Sequence, residues 1–136
     1  METVSNGNIF KVRVRYSETD QMGYVYYGNY ARYYEIGRTE LMRSLGIHYK
    51  TMEDEGIMMP VMSMEAKYLR PAKYDDLITI QTHIRNLTDK EIVFESRIFN
   101  EEGEFLNRGI VKLCFLDKNT YHRIPTPSFI LQQIEN

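Results

Sequence analysis

The sequence predicts an α+β protein in which a curved, antiparallel, five-stranded sheet wraps around one long central helix. Three observations predict it. Five separate segments alternate apolar and polar residues, the period of half-buried strands. One long segment, from about Asn29 to Leu45, repeats its apolar residues at helical spacing instead. The turns between the later segments are short, which selects antiparallel neighbours over the long crossovers that parallel strands require. A single helix cannot cover such a sheet from its edge, so the economical packing curves the sheet around it.

In chain order, Phe10, Val12, Val14 and Tyr16 form the apolar face of the first strand, with Lys11, Arg13 and Arg15 on the other face. The chain turns at Gly23 and enters the helix near Gly28–Asn29, where Asn29 is a suitable N-cap. Tyr30, Tyr34, Gly37, Leu41 and Leu45 make the helix's apolar stripe, widened by Tyr33 and Ile36; Arg32/Glu35 and Glu40/Arg43 stand at pairing distance. Gly46 stops the helix, and Tyr49–Glu55 adds a short helical turn. Four strands then read as a meander. Met62, Met64, Ala66 and Tyr68 mark the first, and Ile78, Ile80, Thr82 and Ile84 the second. Ile92 to Phe99 is the third, and the last runs from Phe105 to Leu116 with Val111, Leu113 and Phe115 on one face. Thr126–Glu135 is a C-terminal helix started by Pro127.

With 136 residues, the chain is expected to form a single domain over residues 1–136. A net charge of −2 gives no basic footprint, which excludes nucleic acid as the expected partner. The start METVSNGN is polar and has no leader pattern, and no run approaches the ~20 apolar residues of a membrane span. One cysteine, Cys114, forbids an intrachain disulfide and predicts a reducing, cytoplasmic setting. His48, His83 and His122 show no metal-ligand spacing and read as surface or loop residues, so no metal site is expected.

The most informative stretch is YSETDQMGYVYYGNYARYYEIGRTELMR, Tyr16 to Arg43, which sets an acid and a glycine just ahead of the longest helix. Its residues Tyr16, Thr19, Asp20, Gly23, Tyr26, Asn29, Tyr30, Glu35 and Arg38 resemble the hallmark of hot-dog-fold thioesterases of the 4-hydroxybenzoyl-CoA thioesterase and YbgC-like type. YLRPAKYDDLITI, Tyr68 to Ile80, is a second matching stretch. The resemblance implies a hot-dog fold and hydrolysis of an acyl-CoA thioester to free acid and CoA, without metal or organic cofactor. It also implies a homodimer or a tetramer of dimers, with sheets joined edge to edge and each site at a subunit boundary.

By this resemblance Asp20 is the catalytic carboxylate, as nucleophile or as general base for water. Hydrolysis also needs donors for the developing oxyanion, which a helix N-terminus supplies. An Asp before a helix can instead simply form an Asx-turn. The Tyr27 backbone N–H is the expected oxyanion donor; many YbgC-like enzymes carry His at this position, and the hydroxybenzoyl enzyme an aromatic residue. Gly23 permits a conformation or an approach that a Cβ would block. Glu35 reads as half of a structural ion pair with Arg38 rather than as a catalyst. Met58, Met59, Met62 and Met64 read first as core filling and second as an adaptable acyl pocket, with Met59 and Val61 as its lining. Arg70 and Lys90 are candidates for CoA phosphates. Lys90 aligns with a CoA-contacting lysine of the hydroxybenzoyl enzyme, but the arginines beside it there are Thr88 and Asp89 here. Three alternatives stay open: acyl carrier protein as the carrier, a hydratase or dehydratase (disfavoured because the motif has no His), and a protein that binds acyl-CoA without turnover.

Overall fold

The computed structural model describes residues 7–135. The polar start, residues 1–6, on which the reading of no leader rests, lies outside the described residues. The elements are β1 (Gly7–Arg13), α1 (Tyr30–Ser44), α2 (Tyr49–Asp54), β2 (Ile57–Met58), β3 (Val61–Tyr68), β4 (Leu77–Leu87), β5 (Glu91–Phe99), β6 (Phe105–Asp117), β7 (Arg123–Ile124) and α3 (Ser128–Glu135). Five long strands form one antiparallel sheet in the order β1-β4-β5-β6-β3, with the two-residue strands β2 and β7 both paired to the end of β6. This is the expected hot-dog architecture.

The four-strand meander is corrected: only β4-β5-β6 is one. β3 pairs with the outer side of β6, and β4 crosses to pair with β1. The segment between β3 and β4 holds Pro71 and is too long for a tight hairpin, so nothing forces its flanking strands to be neighbours. The first strand is also shorter than its alternation implies. β1 ends at Arg13, and Tyr16 is 77% exposed in the following 3₁₀ turn instead of continuing the apolar face.

Helix α1 packs on β4, β1 and β5 with Tyr30, Tyr33, Tyr34, Gly37, Leu41 and Met42 buried, against Ile78, Ile80, Ile84, Phe94, Ile98 and Val111. Two glycines set how closely helix and sheet approach. A Cβ on Gly37 would lie 2.2 Å from Thr82 Oγ1, and one on Gly109 would lie 2.2 Å from the Tyr34 ring. Tyr34 lies across β6 at Gly109, and its hydroxyl bonds the fully buried Asn107.

The helix leaves most of the β3 edge uncovered and meets it through the Tyr30–Tyr68 ring contact. Val61, Met62, Met64 and Tyr68 are therefore 46–52% exposed, which corrects the core-filling reading for Met62 and Met64; Met58 and Met59 are half-buried. On the sheet's outer face the Glu95 carboxylate, 3% exposed, is enclosed by Arg108 at 2.7 Å, Arg97 at 3.1 Å and Arg85 at 3.2 Å, with His83 at 3.6 Å. His83 is thus a half-buried member of a charge cluster, whereas His48 and His122 are exposed as expected. Cys114 is a small packed side chain. No helix among the described residues is long and apolar enough to cross a membrane.

Candidate active site

The loop between β1 and α1 is anchored by a residue with no local sequence signal, Glu18. Its carboxylate is buried and accepts the Arg15 N–H at 2.8 Å and the Tyr33 hydroxyl at 2.9 Å. Arg32 stands 3.7 Å away, so it pairs with Glu18 and not with Glu35 as helical spacing predicts; Glu40 and Arg43 do pair, at 3.6 Å. The Glu18 carbonyl accepts the Tyr26 N–H at 2.9 Å and the Asn29 side-chain amide at 2.8 Å. Asn29 occupies the N-cap position but makes no side-chain cap, because its amide ties the loop to the helix instead.

Beyond Glu18, Thr19 and Val25 pair across a tight turn that is closed by the Gly23 N–H on the Asp20 carbonyl at 3.0 Å. Gly23 has φ of 78°, and nothing crowds the place a Cβ would take. The glycine is therefore needed for backbone conformation, not for room. Asp20 Oδ1 accepts the Met22 N–H at 2.9 Å and the Tyr24 N–H at 3.2 Å. The Asx-turn is thus real, but it uses one oxygen and leaves Oδ2 without a partner among the described residues. A carboxylate fixed through one oxygen presents the other in a defined direction, which suits either a general base or a nucleophile.

The chain enters α1 through a 3₁₀ turn at Tyr27–Asn29, in which the Tyr30 N–H donates to the Tyr27 carbonyl. Among the described residues nothing accepts the Tyr27 N–H. It is one of the orphan donors of a helix start, where the helix dipole also favours negative charge. Asp20, Tyr27, Tyr30, Tyr68 and Arg70 line one cleft of about 330 Å³. The buried Tyr30 ring meets Tyr68 edge-on at 5.4 Å and its hydroxyl accepts the Ala72 N–H at 3.4 Å, while burial pushes its pKa up and keeps it protonated. Arg70 reaches Glu104 at 3.2 Å across an exposed surface.

Asp20, Tyr27 and Arg70 line this one cleft, Gly23 lies in the turn that carries Asp20, and three other candidates lie elsewhere. Met59 lines a second cavity, beside Arg38 and Tyr49. Val61 is half exposed on the β3 edge. Lys90 lies at the β4–β5 turn beside Asp89 and Arg123. Glu35 is also in the second cavity, and the expected Glu35–Arg38 ion pair is not formed within 4 Å among the described residues. No group of three or more His, Cys, Asp or Glu that could hold a metal occurs among the described residues.

A sheet curved around one helix, with a fixed carboxylate beside that helix's free N–H groups, is the arrangement of a hot-dog thioesterase. The chain belongs to the thioesterase-like superfamily, which it matches over residues 14–134. It is similar to the acyl-CoA thioester hydrolase YbgC of Escherichia coli, 35% identical over 114 residues that cover 82% of this chain and 85% of that protein. It is similar also to a chloroplastic acyl-acyl carrier protein thioesterase of Arabidopsis thaliana, 30% identical over 88% of this chain and 63% of that one. Among solved structures, DHNA-CoA thioesterase from Staphylococcus aureus superposes with a TM-score of 0.88 at 30% identity, covering 93% of this chain and 85% of that one.

Proposed function

We propose that this chain hydrolyses acyl-CoA thioesters at the Asp20 cleft. The observation that carries the reading is the pairing of a carboxylate held by the Met22 and Tyr24 N–H groups with an unpartnered Tyr27 N–H in the same cleft. The thioester carbonyl sits on the Tyr27 N–H. Asp20 Oδ2 either takes a proton from the attacking water or attacks the carbonyl carbon itself, giving an anhydride that water then opens. The tetrahedral oxyanion is stabilised by the helix N-terminus. Its collapse breaks the C–S bond and expels CoA thiolate, which takes its proton from Asp20 in the general-base route and from water in the anhydride route, and the products are the free acid and CoA thiol. Release of free thiol from short, medium, long and aromatic acyl-CoAs tests this; no turnover of any of them by the wild-type protein would refute it.

Acyl groups on acyl carrier protein are the second reading, supported by the Arabidopsis relative. A higher kcat/KM for the carrier-bound acyl group than for its CoA ester would favour it. The exposed edge of β3 further supports a homo-oligomer, a dimer or a tetramer of dimers, in which β3 pairs with a second copy. Such an assembly is what would bring Met59 and Val61 to the acyl group, and Lys90 to the CoA phosphates, of a neighbouring cleft. The lone Cys114 agrees with a cytoplasmic setting.

A further inference from the structure

On the outer face of the sheet, β5, β6 and β3 set three cations side by side. Arg97 is the register partner of Arg108, and Arg108 that of Lys67, so the three form one row across the strands. Neighbouring strands stand about 5 Å apart, which puts the three like charges within roughly 10 Å. Like charges directly opposite one another destabilise a sheet. The buried Glu95 offsets part of this, bonding Arg108 at 2.7 Å and Arg97 at 3.1 Å, but it also holds Arg85 at 3.2 Å. His83 beside it adds no positive charge at neutral pH, because burial and then the facing arginines keep its pKa below 6.5. The next carboxylate along β5, Glu91, is already shared by Lys112 at 3.4 Å and Arg123 at 3.8 Å. Lys67 is exposed, and among the described residues no carboxylate lies within 4 Å of its ammonium. Glu65 shares its face of β3, but it is exposed and water screens it. Even with Glu65 counted, Arg85, Arg97, Arg108 and Lys67 face only two carboxylates.

A cavity of about 220 Å³ opens beside this row, lined by Lys67 and Arg108 with Glu65 and Ile110. It lies below the usual range of roughly 300–1,000 Å³ for ligand pockets, so it suits a compact anion and not a peptide segment. Arg presents a planar fork that grips phosphate oxygens in pairs, and Lys adds a mobile point charge. A single phosphate is too short to meet cations spread along such a row, whereas two linked phosphates can span neighbouring ones. We propose that the Arg97–Arg108–Lys67 row and its cavity bind a diphosphate group, the ester diphosphate of a nucleotide or of coenzyme A. The site shares no lining residue with the Asp20 cleft, and the inference does not rest on the thioesterase reading.

Calorimetric titration of the full chain with inorganic pyrophosphate, at fixed ionic strength, tests the site. Saturable binding is expected, tighter than that of orthophosphate. Lys67→Gln is expected to weaken it by roughly tenfold, the value of one charge-assisted hydrogen bond, and Lys67→Glu to abolish it. Neither change strands a buried partner, so both variants are expected to keep the wild-type Tm within a few degrees when no anion is added. Pyrophosphate is expected to raise the wild-type Tm more than sodium chloride does at equal ionic strength, and to lose that effect in Lys67→Glu. Competition against pyrophosphate then separates the sources. Displacement by ADP at least as strong as by CoA assigns the site to nucleotides, and stronger displacement by CoA assigns it to CoA. Displacement by neither overturns the ester diphosphate. No saturable pyrophosphate binding by wild type, or equal affinity in wild type and Lys67→Glu, overturns the site altogether.

Discussion

Glu18→Ala is expected to loosen the loop that carries Asp20, and its cost can be worked from the structure. The Tyr33 ring is fully buried, and its hydroxyl has Glu18 as its acceptor at 2.9 Å. Removing that acceptor strands a buried hydroxyl, which costs about 1–3 kcal/mol. The Arg15 N–H belongs to an exposed residue and is partly recovered by water, for about 0.5 kcal/mol. Arg32 is 62% exposed and 3.7 Å away, so its pair contributes less than about 1 kcal/mol. The expected loss is about 2–4 kcal/mol, a large part of the ~5–15 kcal/mol by which a domain is stable. Urea denaturation of Glu18→Ala, Tyr33→Phe and the double variant measures it. A coupling energy of roughly 1–2 kcal/mol is expected, because each single change strands the other partner. The same variants, assayed where they remain folded, are expected to lose kcat by about tenfold, since the Glu18 segment positions Asp20. A loss below ~1 kcal/mol, or additive single changes, would show that Glu18 does not anchor the loop.

Three further outcomes follow from the same structure. Gly109→Ala places a methyl group 2.2 Å from the Tyr34 ring and is expected to cost at least about 1–3 kcal/mol by overpacking, read as a lowered Tm. Acidification is expected to destabilise the fold in two stages. Burial and the facing arginines hold the His83 pKa below 6.5, so stability falls as pH drops below that value. Although burial alone would raise the Glu95 pKa, hydrogen bonds from Arg108 and Arg97 hold it below 4.5, and its contribution is lost below that pH. His83→Asn is expected to flatten the upper stage only, and an unchanged slope between pH 7.5 and 5.5 would contradict this. Met62→Lys with Met64→Lys on the β3 edge is expected to shift the assembly to monomer in sedimentation, whereas an unchanged sedimentation coefficient would place the interface elsewhere.

Much of the fold was legible because period and turn chemistry are local. The alternation of Ile78 to Ile84, the tyrosine stripe of α1 and the glycines at Gly23 and Gly46 each announce an element within a few residues. The strand order was not legible, because β3 lies far from β6 in sequence and nothing in either strand names its partner. Exposure of Met62 and Met64 was hidden for the same reason: apolar side chains on an uncovered edge look like core in a single sequence. At the site, Asp20 and Gly23 stand in one short motif and were readable. Glu18 reaches Tyr33 across 15 positions and Arg38 faces Tyr49 across a helix boundary, so neither contact has a spacing rule to reveal it. Asn29 has the right residue type for a cap, but a competing carbonyl from Glu18 takes its amide.

The central claim is that the Asp20 carboxylate performs the chemistry and does not merely shape its turn. Single-turnover thiol release by Asp20→Asn tests this most directly, because the amide oxygen can still accept from the Met22 and Tyr24 N–H groups and preserve the Asx-turn. The account predicts unchanged thermal stability, acyl-CoA binding within a few-fold of wild type and a rate of thiol release lower by roughly a hundredfold or more. Thiol release at the wild-type rate by a folded Asp20→Asn protein would contradict it.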